Sequence, residues 1–521
     1  MAWFAKRPLT VADVIRCSAE ANRDKPAVEC NELEVSWRAF DTGTCQVGNA
    51  LLNLGLSKGD RVVVLMSNSY EMVEAMFGII RAGLCAVPLN CSITNAAVAG
   101  MIDNSGAKAV IASGEHLHRI ESLRADLPGP LNQRLVGVQP VHEGWLDYQE
   151  LRSGGAEHEP PIRVSPQDEC NIIYSSGTTG LPKGIVHDHG CREAWGSDMA
   201  VALRYHAGCR TLINLGLFSN ISWVAMLATF FAGGTLIIQN RFDVAATLSC
   251  IQDRRVTHSV MVPLQFQKLI ESPELSQYDL SSLDSYMCCG SPLAPHLKRR
   301  IHEQLPGDFI ELYGLTEGLV TILSPEDMSE HINSVGRACP GQRLAILNDD
   351  DTLATAGEPG EIIGHSRFLM AGYHASDAAN EEATWTDDSG LQWLRTGDIG
   401  HLDEHGFLYL VDRKKDMIIS GGQNIFPADI ESTMVEHDAI SEIAVIGVPH
   451  EKWGETPLAV VVPTSGKPVD ADELIGWANA QLGKQQRIRG LVFVDELPRN
   501  PNGKVLKREL RDRYKDHAAH G

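Results

Sequence analysis

Along the first 330 residues or so, short apolar runs of strand character alternate with amphipathic stretches of helical period. RVVVLM precedes SYEMVEAMFGIIRAG; CAVPL follows, then a polar-apolar helical segment, then AKAVIAS. Repeated β-then-α alternation predicts parallel sheets covered by helices. The same grammar recurs at TLINL, VAMLATFFA, TLIIQ, DVAATLSCIQDRR and THSVMVP, so two doubly wound α/β subdomains are expected here. From about Ser334 to Val411 the pattern changes to short strands with frequent Gly, Pro and Asp turns, as in ATAGEPGEIIG and DEHGFLYL. That texture suits an antiparallel sheet or a small β-barrel-like subdomain. After the charged cluster Asp412 to Asp416, the segments AISEIAVIGV, LAVVVP, ADELIGWANAQLG and LVFVDEL are long enough for a separate small α+β unit. The expected division is a large domain over 1–412 and a small one over 413–521.

The stretch Leu217 to Ile238 carries no charge and is long enough to raise the question of a membrane span. Ser219, Asn220 and Ser222 interrupt it, and Gly233 and Gly234 split it, the pattern of a buried helix turning into a strand. No integral membrane association is expected. The formal charge of -22 excludes general affinity for nucleic acid or anionic lipid, because both require a broad basic face. Any anionic ligand must therefore be met by local cations. The twelve cysteines are scattered without a CxxC pair, which predicts reduced thiols in a cytoplasmic protein without a disulfide framework.

Candidate chemistry begins with IIYSSGTTGLPKG, Ile172 to Gly184. It fails as a Walker A loop: Lys183 follows Pro182, no Ser or Thr succeeds it, and IVHDHG beyond it has the texture of strand and turn. The backbone N–H groups of Gly177, Thr178, Thr179 and Gly180 can still form an anion nest, supported by hydroxyls and Lys183; the alternative is a mobile linker. YGLTE at 313–317 places an aromatic, a hydroxyl and a carboxylate together after DFIEL. Glu317 is a candidate Mg²⁺ ligand or, equally, a charge at a helix N-terminus. Asp398 in WLRTGD suits a bidentate hold on vicinal hydroxyls. Lys504, in PRNPNGK, lies on a turn where a lysine is usually just solvated.

In this order and spacing, YSSGTTGLPKG, YGLTE, RTGD, DRKKDMIISGGQNIFPADIE and PRNPNGK resemble the adenylate-forming superfamily of acyl- and aryl-CoA synthetases, luciferases and peptide-synthetase adenylation domains. The resemblance spans about Thr10 to Leu510. It implies two half-reactions. A carboxylate attacks the α-phosphate of Mg·ATP to give acyl-adenylate and pyrophosphate, and a thiol then displaces AMP to give a thioester. Carried over residue by residue, Ser175, Ser176, Gly177, Thr178, Thr179, Gly180 and Lys183 become the phosphate loop, and Glu317 the magnesium ligand. Tyr313 would flank adenine with Gly290, Ser291 and Pro292, and Thr316 would contact the α-phosphate. Asp398 and Arg413 would hold the ribose, and Lys504 would bridge carboxylate and phosphate oxygens. The resemblance also implies a hinge at Lys415, two residues after Arg413, with Gly421 and Gly422 moving toward the thioester-forming tunnel.

Ten basic residues against four acidic ones lie between Lys484 and Lys515. Arg487, Arg489 and Trp453 are candidate contacts for coenzyme A by analogy with related ligases; a solvated basic face is the plainer reading. Amino-acid-activating relatives have an aspartate where this chain has Ser219, so a substrate ammonium would go unpaired. Many acyl- and aryl-CoA ligases have histidine there, and its absence is a departure. Ser219, Asn220, Val260, Cys289, Gly314, Leu319 and Val320 are expected to line an uncharged acyl pocket, which implies a small-molecule carboxylic acid with a neutral apolar tail: alicyclic, aromatic or medium-chain. The chain ends eleven residues past Leu510, so free coenzyme A is the expected acceptor. The rival reading is a stand-alone adenylating enzyme that loads an acyl-carrier protein. A homodimer is among the expected assemblies.

Overall fold

The structure is a computed structural model that describes residues 8–139, 142–175, 183–413, 415–420, 423–450, 453–467, 469–483, 486–499 and 503–515. The chain divides into two compact units, one of residues 1–332, 338–343 and 365–394, the other of 333–337, 344–364 and 395–521.

The first unit contains two sheets. One is eight-stranded, in the order Gly372–Tyr373, Lys183–Asp188, Glu169–Ser175, Cys85–Pro88, Arg61–Leu65, Ala109–Ser113, Leu135–Val138, Leu146–Asp147. The other runs Val320–Leu323, Asp308–Gly314, Ser285–Cys288, His258–Met261, Arg210–Ile213, Thr235–Ile238, Pro26–Cys30, Leu33–Ser36. The expected α/β alternation is present, but neither sheet is a contiguous piece of chain. Val28 pairs with Leu236 across 208 positions of sequence, and Tyr373 pairs with Ile185. A single core holds Val62, Val64 and Ala86 from the first sheet together with Ile213, Leu236 and Val260 from the second.

Local chemistry explains the helices around that core. Ser69 accepts the Met72 N–H at 3.2 Å and starts the helix Tyr70–Arg81, which the fold buries along almost its whole length. Ser219 caps Asn220–Ala232, and Gly233 ends it at φ +73°. Its 13 residues rise only about 20 Å, short of about 30 Å of hydrocarbon, and they run into the strand Thr235–Ile238 as the pattern predicts. Among the described residues no helix is long and apolar enough to cross a membrane. The expected turn in IVHDHG is corrected. The strand ends at Asp188, whose carboxylate accepts the Cys191 N–H at 2.7 Å, and the helix His189–Ala202 begins at the next residue.

In the second unit the strand Leu408–Arg413 pairs antiparallel with Gln392–Leu402. The segment expected to form only short antiparallel strands also includes the helix Asp377–Glu382 and the strand Gly372–Tyr373, both within the first unit. Further on, a five-stranded sheet is built on the long hairpin Ile440–His450 and Gly454–Pro463, with Gly490–Phe493 added in parallel. One of its faces packs Ile430, Val445, Leu474 and Ala478, and the other packs Ile446, Val460, Leu497 and Leu510. Alternate residues of the hairpin thus serve two cores under the helices, as a period-2 strand requires.

Candidate active site

Four neighbouring parallel strands of the first unit, Arg210–Ile213, His258–Met261, Ser285–Cys288 and Asp308–Gly314, end side by side. The carboxyl ends of parallel strands are where α/β sheets present ligands. Beyond these ends lie Ser219 and Asn220, then Cys289 with Gly290, Ser291 and Pro292, then Thr316 and Glu317. Val260 sits within its strand, in register with Ile213 on one side and Met287 on the other. The strand Val320–Leu323 folds back antiparallel, pairing Gly314 with Val320 and Tyr313 with Thr321. Six of the seven expected pocket residues are wholly or partly buried: Val260, Leu319 and Val320 fully, Ser219 and Cys289 nearly so, and Asn220 in part. Gly314 is exposed.

Thr316 and Glu317 occupy the tight loop of this hairpin, closed by the Leu315 N–H to the Leu319 carbonyl at 3.0 Å. No helix follows Glu317, so its reading as a helix-terminal charge is corrected: a strand comes next. The loop depends on Gly318, at φ +114°, where a Cβ would lie 2.1 Å from the Phe368 carbonyl oxygen. The Met370 N–H donates to the Glu317 carbonyl at 2.8 Å and ties this loop to the segment before Tyr373.

Sequence reasoning missed Tyr373. Its hydroxyl donates to Glu317 Oε1 at 2.9 Å, and Lys183 Nζ lies 4.7 Å from the centroid of its ring. Burial, reinforced by the neighbouring Glu317 charge, pushes the phenol well above its usual range, so it stays a donor. One aromatic thus joins the lysine of the glycine loop to the carboxylate of YGLTE. Ser175 closes the strand before the loop and Lys183 opens the strand after it, with the two residues in antiparallel register. The expectation that this loop joins two extended segments therefore holds. Ser176, Gly177, Thr178, Thr179 and Gly180 lie outside the described residues.

In the second unit, Asp398 is in register with Arg413 on the paired strands. Sequence reasoning also missed Glu361. Its Oε2 accepts from Arg395 Nε and NH2 at 3.1 and 2.7 Å, and its Oε1 accepts the Gly397 N–H at 3.2 Å, which fixes the turn that carries Asp398. Lys504 precedes Val505, which bridges to Arg499, and Arg499 pairs with Glu442. Lys415 is exposed, and its neighbour Asp416 pairs with Arg511 at 2.9 Å. Arg487 and Arg489 are exposed, as is Trp453 at 36%. The Arg413 side chain, Gly421 and Gly422 lie outside what is described.

Among the described residues one grouping has the spacing for a shared cation: His206, His258 and Asp284. Both rings are already engaged. His206 Nδ1 accepts the Gly208 N–H and its Nε2 meets Asp284, while His258 meets Thr257 Oγ1 and the Arg204 carbonyl. The cluster is a satisfied hydrogen-bond network.

The fold thus brings a lysine, a tyrosine and a carboxylate together next to the strands that flank the glycine loop. The chain matches the AMP-binding enzyme family over residues 15–374 and the AMP-binding enzyme C-terminal domain over 429–504. It is 32% identical over 516 residues, 98% of each chain, to a long-chain-fatty-acid–CoA ligase of Mycobacterium tuberculosis. It is 33% identical over 496 residues, 94% of each chain, to the indoleacetate–CoA ligase of Aromatoleum aromaticum. The ATP-bound crystal structure of MatB from Rhodopseudomonas palustris superposes with a TM-score of 0.89 at 27% identity, covering 98% of this chain and 99% of that one. The chain therefore belongs to the AMP-binding enzyme family.

Proposed function

We propose that this chain is an AMP-forming acyl- or aryl-CoA ligase whose substrate is a carboxylic acid with an apolar tail. A carboxylate oxygen attacks the α-phosphorus of ATP, the bond to pyrophosphate breaks, and the sulfur of coenzyme A then attacks the acyl carbon and expels AMP. The observation that carries this reading is the Lys183, Tyr373 and Glu317 alignment beside the glycine loop. Negative charge accumulates on oxygens in the first step, so positioned cations and donors supply most of the rate.

Each group then has a task. Lys183 and the loop bind the departing β,γ-phosphates, Thr316 meets the α-phosphate, and Tyr313 with Gly290, Ser291 and Pro292 encloses adenine. Asp398 and Arg413 hold the ribose, and Lys504 bridges the reacting oxygens. Among the described residues, the side-chain hydrogen bond of Glu317 is the one from Tyr373 at Oε1, which leaves Oε2 for a cation. A carboxylate with one oxygen so placed fits Mg²⁺, which when bound neutralises phosphate charge. Ser219, Asn220, Val260, Cys289, Gly314, Leu319 and Val320 line the acyl pocket, and their lack of charge favours a neutral tail. Trp453, Arg487 and Arg489 contact coenzyme A.

Domains of 1–412 and 413–521 meet at the hinge Lys415, and rotation there separates the two half-reactions. Proline fixes φ near −65° and removes the N–H, so Lys415→Pro restricts that rotation. It is expected to slow thioester formation more than pyrophosphate release, measured as single-turnover half-reactions. Equal losses in both would sink the hinge assignment.

A further inference from the structure

Arg192, on the helix His189–Ala202, is fully buried, yet among the described residues every hydrogen-bond partner of its guanidinium is neutral. Nε donates to Asn171 Oδ1 at 2.9 Å, NH1 to Asn220 Oδ1 at 2.7 Å, and NH2 to His187 Nδ1 at 3.1 Å. The plane lies over the Trp223 ring, 5.1 Å from its centroid. The titratable groups that face it are His187 on the strand Lys183–Asp188, Cys170 on Glu169–Ser175 and Cys191 on its own helix. Among the described residues none of these is a carboxylate. Burial brings the guanidinium down to about 10, which leaves it charged at neutral pH.

The ring of His187 passes the arrangement on. Its Nε2 lies 2.8 Å from the Thr316 carbonyl, which can only accept, so Nε2 carries the proton and Nδ1 accepts from Arg192. Burial holds this imidazole well below its usual range, and the Arg192 charge lowers it further, so the tautomer is fixed. Arg192 is thus two hydrogen bonds from the Thr316 backbone and one from the Asn220 side chain.

A buried cation without a counter-ion is costly, and a neutral residue of similar shape would pack there more cheaply. A guanidinium in a low-dielectric surrounding also attracts an anion far more strongly than it would in water. We propose that Arg192 is a positioning residue of the acid-activation site. It orients Thr316 through His187 and Asn220 directly, and its uncompensated charge selects the carboxylate form of the substrate. This inference rests on the ligase reading above and adds the source of preference for the ionised acid over its neutral analogues.

Asn171→Asp tests it without emptying the core. Asn171 Nδ2 is buried and has no hydrogen-bond partner among the described residues, so the exchange removes no hydrogen bond among them and places a carboxylate against Arg192 Nε. The probes are hexanoate, decanoate, benzoate, phenylacetate and 4-coumarate. The acid that gives the fastest pyrophosphate release is then compared with the primary alcohol of the same skeleton as a competitive inhibitor. The variant is expected to melt at or above the parent temperature, while the preference for acid over alcohol shrinks about tenfold or more. Arg192→Met, which removes the charge at similar volume, should shrink the same ratio. A purely structural role weakens acid and alcohol alike, and an unchanged ratio in both variants overturns the proposal. Absence of pyrophosphate release by the parent protein with every acid would instead overturn the ligase reading, and this inference with it.

Discussion

Lys504→Ala is expected to lower acid-dependent pyrophosphate release by about 10²- to 10³-fold, the usual loss when one charge-assisted contact to a developing oxyanion is removed. Val505, the next residue, bridges to Arg499, which is itself held by the Arg499–Glu442 ion pair. The following helix Lys507–Tyr514 is anchored separately by Lys507 on Glu431 at 2.7 Å and by the buried Leu510. Because Lys504 is assigned to adenylation alone, thioester formation from supplied acyl-adenylate should remain near the parent rate. Parallel loss of both half-reactions, with an unchanged melting curve, would remove the residue from its assigned role.

Gly318→Ala carries the second largest expected effect. At φ +114° an L side chain is strained, and its Cβ would sit 2.1 Å from the Phe368 carbonyl oxygen and 2.5 Å from the carbonyl carbon. That carbonyl cannot yield freely: it accepts from Cys191 Sγ at 3.0 Å, and Ser366 Oγ, whose own hydroxyl donates to the Gly318 carbonyl, accepts the Phe368 N–H. Strain and overpacking together cost about 3 kcal/mol or more. The loop that must shift carries Thr316 and Glu317, and a displacement of about 1 Å costs on the order of 10²-fold in rate. Gly341→Ala is the control. Its φ is +82°, but a Cβ there meets nothing within 4 Å, so strain acts without a clash. Thermal melts and pyrophosphate release of the two variants should separate clearly; similar behaviour would show that Gly318 serves only its backbone angle.

The residues most legible in sequence are those whose signal is local. Leu217 to Ile238 reads as helix then strand because Gly233 interrupts an uncharged run, and the structure ends the helix there at φ +73°. The glycine loop reads as a link between extended segments because the run from Lys183 has strand texture as far as Asp188, although the helix that starts at His189 reads in sequence as a turn. What sequence leaves hidden depends on distant pairing. Tyr373 belongs to a two-residue strand, too short for any periodic pattern, and acquires its role by lying against Ile185. The pairing of Val28 with Leu236, the fixing of Gly397 by Glu361 and the chain from Arg192 through His187 to Thr316 are likewise long-range. Arg192 is hidden for a further reason: on an amphipathic stretch an arginine is assigned to the solvent face, and only the fold shows it enclosed among neutral partners.

This chain couples ATP cleavage to thioester formation on a carboxylic acid. The direct measurement incubates purified protein with Mg·ATP, coenzyme A and each acid of the panel, following pyrophosphate and AMP together with the mass of coenzyme A. That coupling requires acid-dependent pyrophosphate release, AMP in equal amount, and a coenzyme A mass raised by the acyl group. Acid-dependent pyrophosphate release with unmodified coenzyme A, and AMP freed only when an acyl-carrier protein is supplied, would contradict it.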